Sequence, residues 1–147
     1  MPGKPTTIFR ASLRPKLYRD IEIEAGKSLY DLAAAIVSAF DFDLDHAFGF
    51  YSSMKGNYGK SLRKYELFAD RGEGDPDDMG VEATPMATAF PRTGAKMLFL
   101  FDYGDDWRFN VEMIGTGEKV PRGRYPRVLS KAGDAPIQYP PYEGDDE

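Results

Sequence analysis

Cysteine is absent from the 147 residues, and histidine and tryptophan occur once each, as His46 and Trp107. Lack of cysteine removes disulfides, thiolate nucleophiles and cysteine zinc sites together. A single histidine leaves no second imidazole to share a metal. Nor is there an apolar run of about 18 residues, the length a membrane-spanning helix requires, and Met1 to Thr7 lack the apolar stretch of a secretory signal. The expectation is a cytoplasmic protein with no membrane partner. What is present suffices for a core: apolar residues make up 41% of the chain, and a domain of this size buries about 68–70% of its unfolded surface without disulfide or metal.

Charge is unevenly distributed. The net charge is −5, yet Met1 to Lys131 balances 19 acids with 19 bases, and the excess lies in Asp134 to Glu147. Within the balanced body, Glu66 to Glu82 holds seven acids and one base, Arg71, whereas Lys119 to Lys131 holds five bases and no acid. Segregation of this kind suits a partner surface better than bulk nucleic-acid affinity, so nucleic-acid binding is expected to be weak at most.

Ile8 to Leu13 and Leu17 to Glu24 flank Arg14-Pro15-Lys16, and the second run alternates apolar Leu17, Ile21 and Ile23 with polar Asp20, Glu22 and Glu24. This predicts a hairpin reversing at Pro15, which has no N–H to give to a ladder. Ser28 with Asp31 three residues later is a helix start, and Leu29, Leu32, Ala33, Ile36 and Phe40 continue it at helical spacing. His46 to Tyr51 alternates as a third strand. Tyr65 to Phe68 reads as a short strand, Asp70 to Gly80 as a charged loop, and Thr84-Pro85-Met86 as one helical turn capped by Thr84. Lys96 to Phe101 and Trp107 to Ile114 form the next strand pair, with Phe99 and Phe101 on one parity and Trp107, Phe109, Val111 and Met113 on another. Beyond Gly115 the prolines, glycines and charges predict little regular structure, and residues 132–147 read as an acidic, weakly ordered tail.

Two stretches carry a pattern: Leu29-Tyr30-Asp31-Leu32 with Phe40-Asp41-Phe42-Asp43-Leu44-Asp45-His46, and Phe101-Asp102-Tyr103-Gly104-Asp105-Asp106-Trp107 followed by Tyr125-Pro126-Arg127. They resemble the plasmid pRiA4b ORF-3-like family along most of the chain, apart from a longer region at Lys55 to Arg92. The resemblance implies an α+β domain met on plasmids and near transposable elements, with no established activity. It also implies a loss. Where many members have further histidines this chain has Phe48 and Phe109, and where they commonly have cysteines it has Val128 and Ala135 to Tyr139, so a metal role built on those ligands would not operate here.

Asp41, Asp43 and Asp45 alternate like the start of a calcium loop, but His46 stands in place of the glycine and Ser52 in place of the final glutamate. Gly115 to Lys119 lacks the spacing and the following hydroxyl of a phosphate loop. His46 has a proton-transfer pKa but no serine or cysteine beside it; a packed imidazole bonded to Asp102 or Asp106 is the favoured reading. Asp102, Asp105 and Asp106 can hold a divalent cation or make a turn. The turn is favoured, with Gly104 at positive φ and Trp107 buried as its anchor. Arg122, Arg124 and Arg127 with Tyr125 can grip phosphates; for Arg127 an ion pair with the Asp-rich turn comes first.

The expected fold is therefore α+β, a mixed sheet of about five strands packed by one main helix with a β-grasp-like ββαβ start. Residues 1–131 form one domain, with a long variable insertion at 52–93. The expected function is a binding or interaction module linked to mobile-element or regulatory machinery, with a protein as partner. Its candidate surface comprises His46, Asp102, Asp105, Asp106, Trp107, Tyr125 and Arg127, with no catalytic residue, cofactor or metal ligand. The alternative is a metal-assisted hydrolase or nuclease using Asp102, Asp105 and Asp106.

Overall fold

A computed structural model describes residues 3–72 and 79–139. Strands β1 (Pro5–Arg14) and β2 (Leu17–Glu24) form the expected hairpin, turning at Pro15 and Lys16. Helix α1 (Leu29–Ala39) follows, and its first turn is held by a reciprocal cap: Asp31 N–H donates to Ser28 Oγ, and Ser28 N–H donates to the Asp31 carboxylate, both at 3.2 Å. Then come β3 (Phe48–Tyr51), a 3-10 turn at Tyr58–Lys60, β4 (Lys64–Glu66), the single-turn helices α2 (Leu67–Asp70) and α3 (Met86–Ala89), and the strands β5 (Lys96–Phe101), β6 (Trp107–Glu118) and β7 (Arg127–Ala132). Helix α3 is preceded by Pro85, which makes no side-chain cap. Thr84, expected to cap, turns its hydroxyl to the Gly80 carbonyl instead.

All seven strands lie in one sheet of order β4-β3-β5-β6-β1-β2-β7, and every adjacent pair is antiparallel. The expected α+β fold, with a mixed five-stranded sheet under one main helix, is thereby corrected to a mostly β architecture with short helices. The reason lies in the path after α1. In a β-grasp the crossover sets later strands parallel to the first; here α1 and the 40–47 loop carry the chain to β3, beyond β5 and β6, where no parallel partner is met. Two further features escaped the alternation rule. Strand β6 runs on to Glu118 because it pairs with the start of β1, setting Pro5 opposite Glu118. Strand β7 is an edge strand with both faces largely wet, so nothing in its sequence had to alternate.

The two sides of the sheet differ. One packs the main core, in which Phe9, Phe48, Phe50, Phe99, Phe101 and Phe109 are fully buried. Their rings meet at centroid distances such as 4.9 Å for Phe50–Phe99 and 5.0 Å for Phe40–Phe109, within the range of favourable aromatic pairs. This side is closed jointly by α1, by Phe40 and Phe42 of the following loop, and by α3 with Phe90. On the other side, Tyr51, Leu98 and Leu100 form a small second core under Met54, Tyr58 and Tyr103. Next to it runs a charged row across four strands: Lys96 faces Glu112, Glu112 faces Arg10, and Arg10 faces Asp20. Arg10 grips Asp20 with two bonds of 2.7 and 2.9 Å. Among the described residues no helix is long and apolar enough to cross a membrane.

Candidate functional site

The residues singled out from sequence fall at two separate places. The first is the end of the sheet where the 41–47 loop, the β5–β6 connection and residues 138–139 meet. Asp102 governs the connection. It takes φ +63°, a left-handed conformation that aspartate tolerates better than most residues, and is only 6% exposed. Its Oδ1 accepts from the N–H groups of Gly104 and Asp105, both at 3.2 Å, its own N–H donates to the Ala47 carbonyl, and its carbonyl accepts from Asp106 N–H. The turn reading thus holds with a change of residue: the positive φ values belong to Asp102 and to Asp106 (φ +57°), and Gly104 is not among them. Asp106 turns outward to Arg108 at 2.9 Å, and Asp105 is exposed. Trp107 is part-buried, edge-on to Phe42 at 4.8 Å, and its Nε1 is enclosed with no hydrogen-bond partner among the described residues.

His46 stands over this turn. Its Nε2 lies 3.4 Å from Asp102 Oδ2, 3.7 Å from Asp45 Oδ1 and 2.6 Å from the Tyr139 hydroxyl. The hydroxyl lies 3.0 and 2.9 Å from the two oxygens of Asp45. Burial, the Asp45 bond and the charges of Asp45, Asp102 and Asp105 together push the Tyr139 hydroxyl up to about 12. Next to it, Gln138 is 8% exposed and clasps the backbone of Asp43: its Oε1 accepts from Asp43 N–H at 2.7 Å and its Nε2 donates to the Asp43 carbonyl at 3.1 Å. The expected acidic tail therefore begins within β7 and runs on through these two anchored residues; its remainder, 140–147, lies outside the described residues, as do 73–78 of the expected charged loop. Sequence reasoning missed Asp45 and Tyr139 as partners of His46, and Gln138 as the clasp on Asp43; 93 residues separate His46 from Tyr139 and 95 separate Asp43 from Gln138. The carboxylates of the Asp-rich turn do not converge, and among the described residues no group of three or more His, Cys, Asp or Glu side chains is placed to hold a metal ion.

The second place is the opposite edge of the sheet. Arg127 meets Glu22 rather than the Asp-rich turn, with Nε and Nη2 at 3.0 and 2.9 Å from Oε1, because β7 pairs with β2 and sets these two residues opposite each other. Burial would raise the Glu22 carboxyl, but bonds from Thr6 and Arg127 and the Arg127 charge outweigh it and hold Glu22 below the usual carboxylate value. Arg127 also lies over the Tyr125 ring at 4.8 Å, and the Tyr125 hydroxyl accepts from Val120 N–H.

Beside these residues α1 stops short of covering β7 and leaves a groove of about 620 Å³. Small side chains of α1, Ala35, Ser38 and Ala39, form one wall, β7 the other, and Ile21 with Arg19 the floor. A second hollow of about 240 Å³ shares Ala35, Ser38 and Pro126 with it and extends it to Tyr125. Arg19 is only 4% exposed. Its guanidinium donates to the carbonyls of Ala39 at 3.2 Å, Tyr18 at 2.9 Å and Ala132 at 3.0 Å, tying the end of α1 to β7, and lies over the Phe40 ring. Sequence reading passed over Arg19, although its parity was a signal: it shares the apolar face with Leu17, Ile21 and Ile23.

A family model described as plasmid pRiA4b ORF-3-like protein matches residues 8–138, most of the chain. Among solved structures, the chain is similar to a crystal structure of a protein of unknown function from Methanosarcina mazei Go1, with a TM-score of 0.72 at 18% identity, covering 91% of this chain and 72% of that one. That likeness extends to the fold. No curated protein matches.

Proposed function

Starting from a chain that belongs to the plasmid pRiA4b ORF-3-like protein family, we propose a non-enzymatic binding module whose partner surface is the groove between α1 and β7. The observation that carries this reading is the groove itself, about 620 Å³ beside an edge strand whose residues 128–131 are all exposed. Concave sites of this size are where ligands are held, this one setting apolar Ile21 and Val128 beside Arg19, Ser130 and Lys131, and an edge strand offers unpaired N–H and C=O groups. Tyr125 and Arg127 of the candidate surface border it.

The His46 end supports the hydrolase alternative less well. Asp102 is engaged by backbone N–H groups and Asp106 by Arg108, and the hydroxyl that stands against His46, that of Tyr139, is shared with Asp45 and pushed up to about 12, which holds it in its protonated, weakly nucleophilic form. A paired retention assay from host lysate tests the reading. Ser38→Trp fills the groove from an exposed position on α1, so proteins retained by the wild-type chain are expected to be lost from this variant and kept by Asp105→Asn. Retention that survives Ser38→Trp and is lost with Asp105→Asn moves the partner surface to the other end of the sheet.

A further inference from the structure

We propose that the occupant of the groove is an extended acidic segment of a partner protein, which adds to the outer edge of β7 as an eighth strand and sets a carboxylate against Arg19. This rests on the binding-module reading and gives it a partner chemistry.

Arg19 is the first ground. A guanidinium is always charged, and a charge taken out of water is ordinarily met by an opposite charge. Arg19 is 96% buried, yet all three of its hydrogen bonds go to neutral carbonyls, and no carboxylate lies within ion-pair distance of it among the described residues. The carbonyl at the C-terminal end of α1 offsets part of the charge. Nη2, however, makes no hydrogen bond among the described residues, and the side chain lines the groove. A guanidinium edge of this kind takes a carboxylate oxygen in a short, charge-assisted bond.

The strand is the second ground. The inner edge of β7 pairs with β2, whereas its outer edge pairs with nothing among the described residues. Val128 and Leu129 are each 45% exposed there, and Val128 lies opposite Ile21, the groove floor. Strand addition uses such an edge for affinity and the adjoining pocket for side-chain selection.

Charge selects among occupants. Arg19 and Lys131 line the groove against Asp41, while Arg127 is already met by Glu22, and residues 119–131 contribute five bases and no acid, of which Lys119 and Arg127 are paired with Glu24 and Glu22. A second copy is disfavoured, because two β7 strands paired antiparallel about Leu129 would set Arg127 opposite Lys131, a like-charge contact.

The test is an amide-shift titration of the full chain with three probes: acetyl-(Glu-Val)3-amide, its uncharged counterpart acetyl-(Gln-Val)3-amide, and octathymidylate. The Glu peptide is expected to shift β7 and the α1 residues of the groove, with the Gln peptide at least about tenfold weaker, a difference of about 1.4 kcal/mol. Arg19→Met is expected to remove that difference. Because Arg19 also ties α1 to β7, Val128→Asp serves as a second variant that leaves its three carbonyl bonds in place and is expected to weaken the Glu peptide about tenfold. Equal binding of both peptides, no binding of the Glu peptide, preference for octathymidylate, or wild-type affinity in Val128→Asp each overturns the inference. If partner retention is meanwhile lost in Ser38→Trp, the inference fails while the binding-module reading stands.

Discussion

The two ends of the sheet treat their polar side chains in opposite ways. At the Asp102 end, the chain uses its own carboxylates as parts: Asp102 replaces a turn's missing hydrogen bonds, Asp106 holds Arg108, and Asp45 shares the Tyr139 hydroxyl with His46. At the β7 end, among the described residues, a buried guanidinium has only carbonyl hydrogen-bond partners and a strand edge has no neighbour. Dense acidic chemistry in a sequence therefore marks construction here, and the sparser edge is where the proposed partner would add.

The largest effect that probes this comparison is on the core joining both ends. Phe109 is fully buried between Phe40, Phe42 and Phe99, and Phe109→Ala is expected to cost about 3–5 kcal/mol in urea unfolding. Trp107 fluorescence and β7 amide exchange should shift together; separate transitions would show that the ends are independent units.

Next comes the contrast within the Asp-rich turn. Asp102→Ala strands two backbone N–H groups and should cost about 1–3 kcal/mol, whereas exposed Asp105→Ala should stay within about 0.5 kcal/mol. Equal costs measured by thermal melts would remove Asp102 from its structural role.

Acid unfolding addresses the other end. The folded Glu22 carboxyl titrates below its ordinary value of 4.5, so the folded state binds fewer protons than the unfolded one in that window. Its stabilisation is complete above the ordinary value and is lost as pH falls through the lower, folded one. Arg127→Met should move the acid midpoint, followed by circular dichroism, to higher pH. In a Glu22→Gln background the same change should have a smaller effect; an unchanged shift would place the Arg127 contribution elsewhere. The smallest effect is expected at Leu129, the unpaired residue where the register of β7 on β2 shifts. Leu129→Ser should alter stability by no more than about 0.5 kcal/mol, and a larger loss would mean that the edge is more tightly built than its exposure indicates.

Local structure was legible wherever one residue's chemistry decided it. Ser28 and Asp31 announced the start of α1, Pro15 the hairpin turn, and Phe99 with Phe109 a shared pleated face. Architecture was not, because sheet order depends on which strands meet across long stretches of chain, and alternation says only which side of a strand is apolar. Exposed β7 carried no alternating signal, its apolar Val128 and Leu129 being adjacent in sequence. Within the candidate surface, the Asp102 turn could be read from Asp and Gly composition, although the residue at positive φ could not, since aspartate and glycine both adopt that conformation. Arg127 found Glu22 through strand pairing that no local motif encodes.

The interior position of β1 governs how the chain can fold. Its neighbour on the side away from β2 is β6, so Pro5 meets Glu118 and Thr6 meets Gly117. During synthesis the first hairpin and α1 emerge early but cannot complete their sheet, because the strand that joins them to β3 and β5 has not yet been made. Closing so long a loop costs chain entropy before any contact repays it, and topologies dominated by distant pairings fold in milliseconds to seconds rather than microseconds. Until β6 arrives, the β1 edge stands open to water and to other chains. Strand β7, translated after the other described strands, then adds to the far side of β2, so the rim of the groove joins the sheet only once those strands have been made.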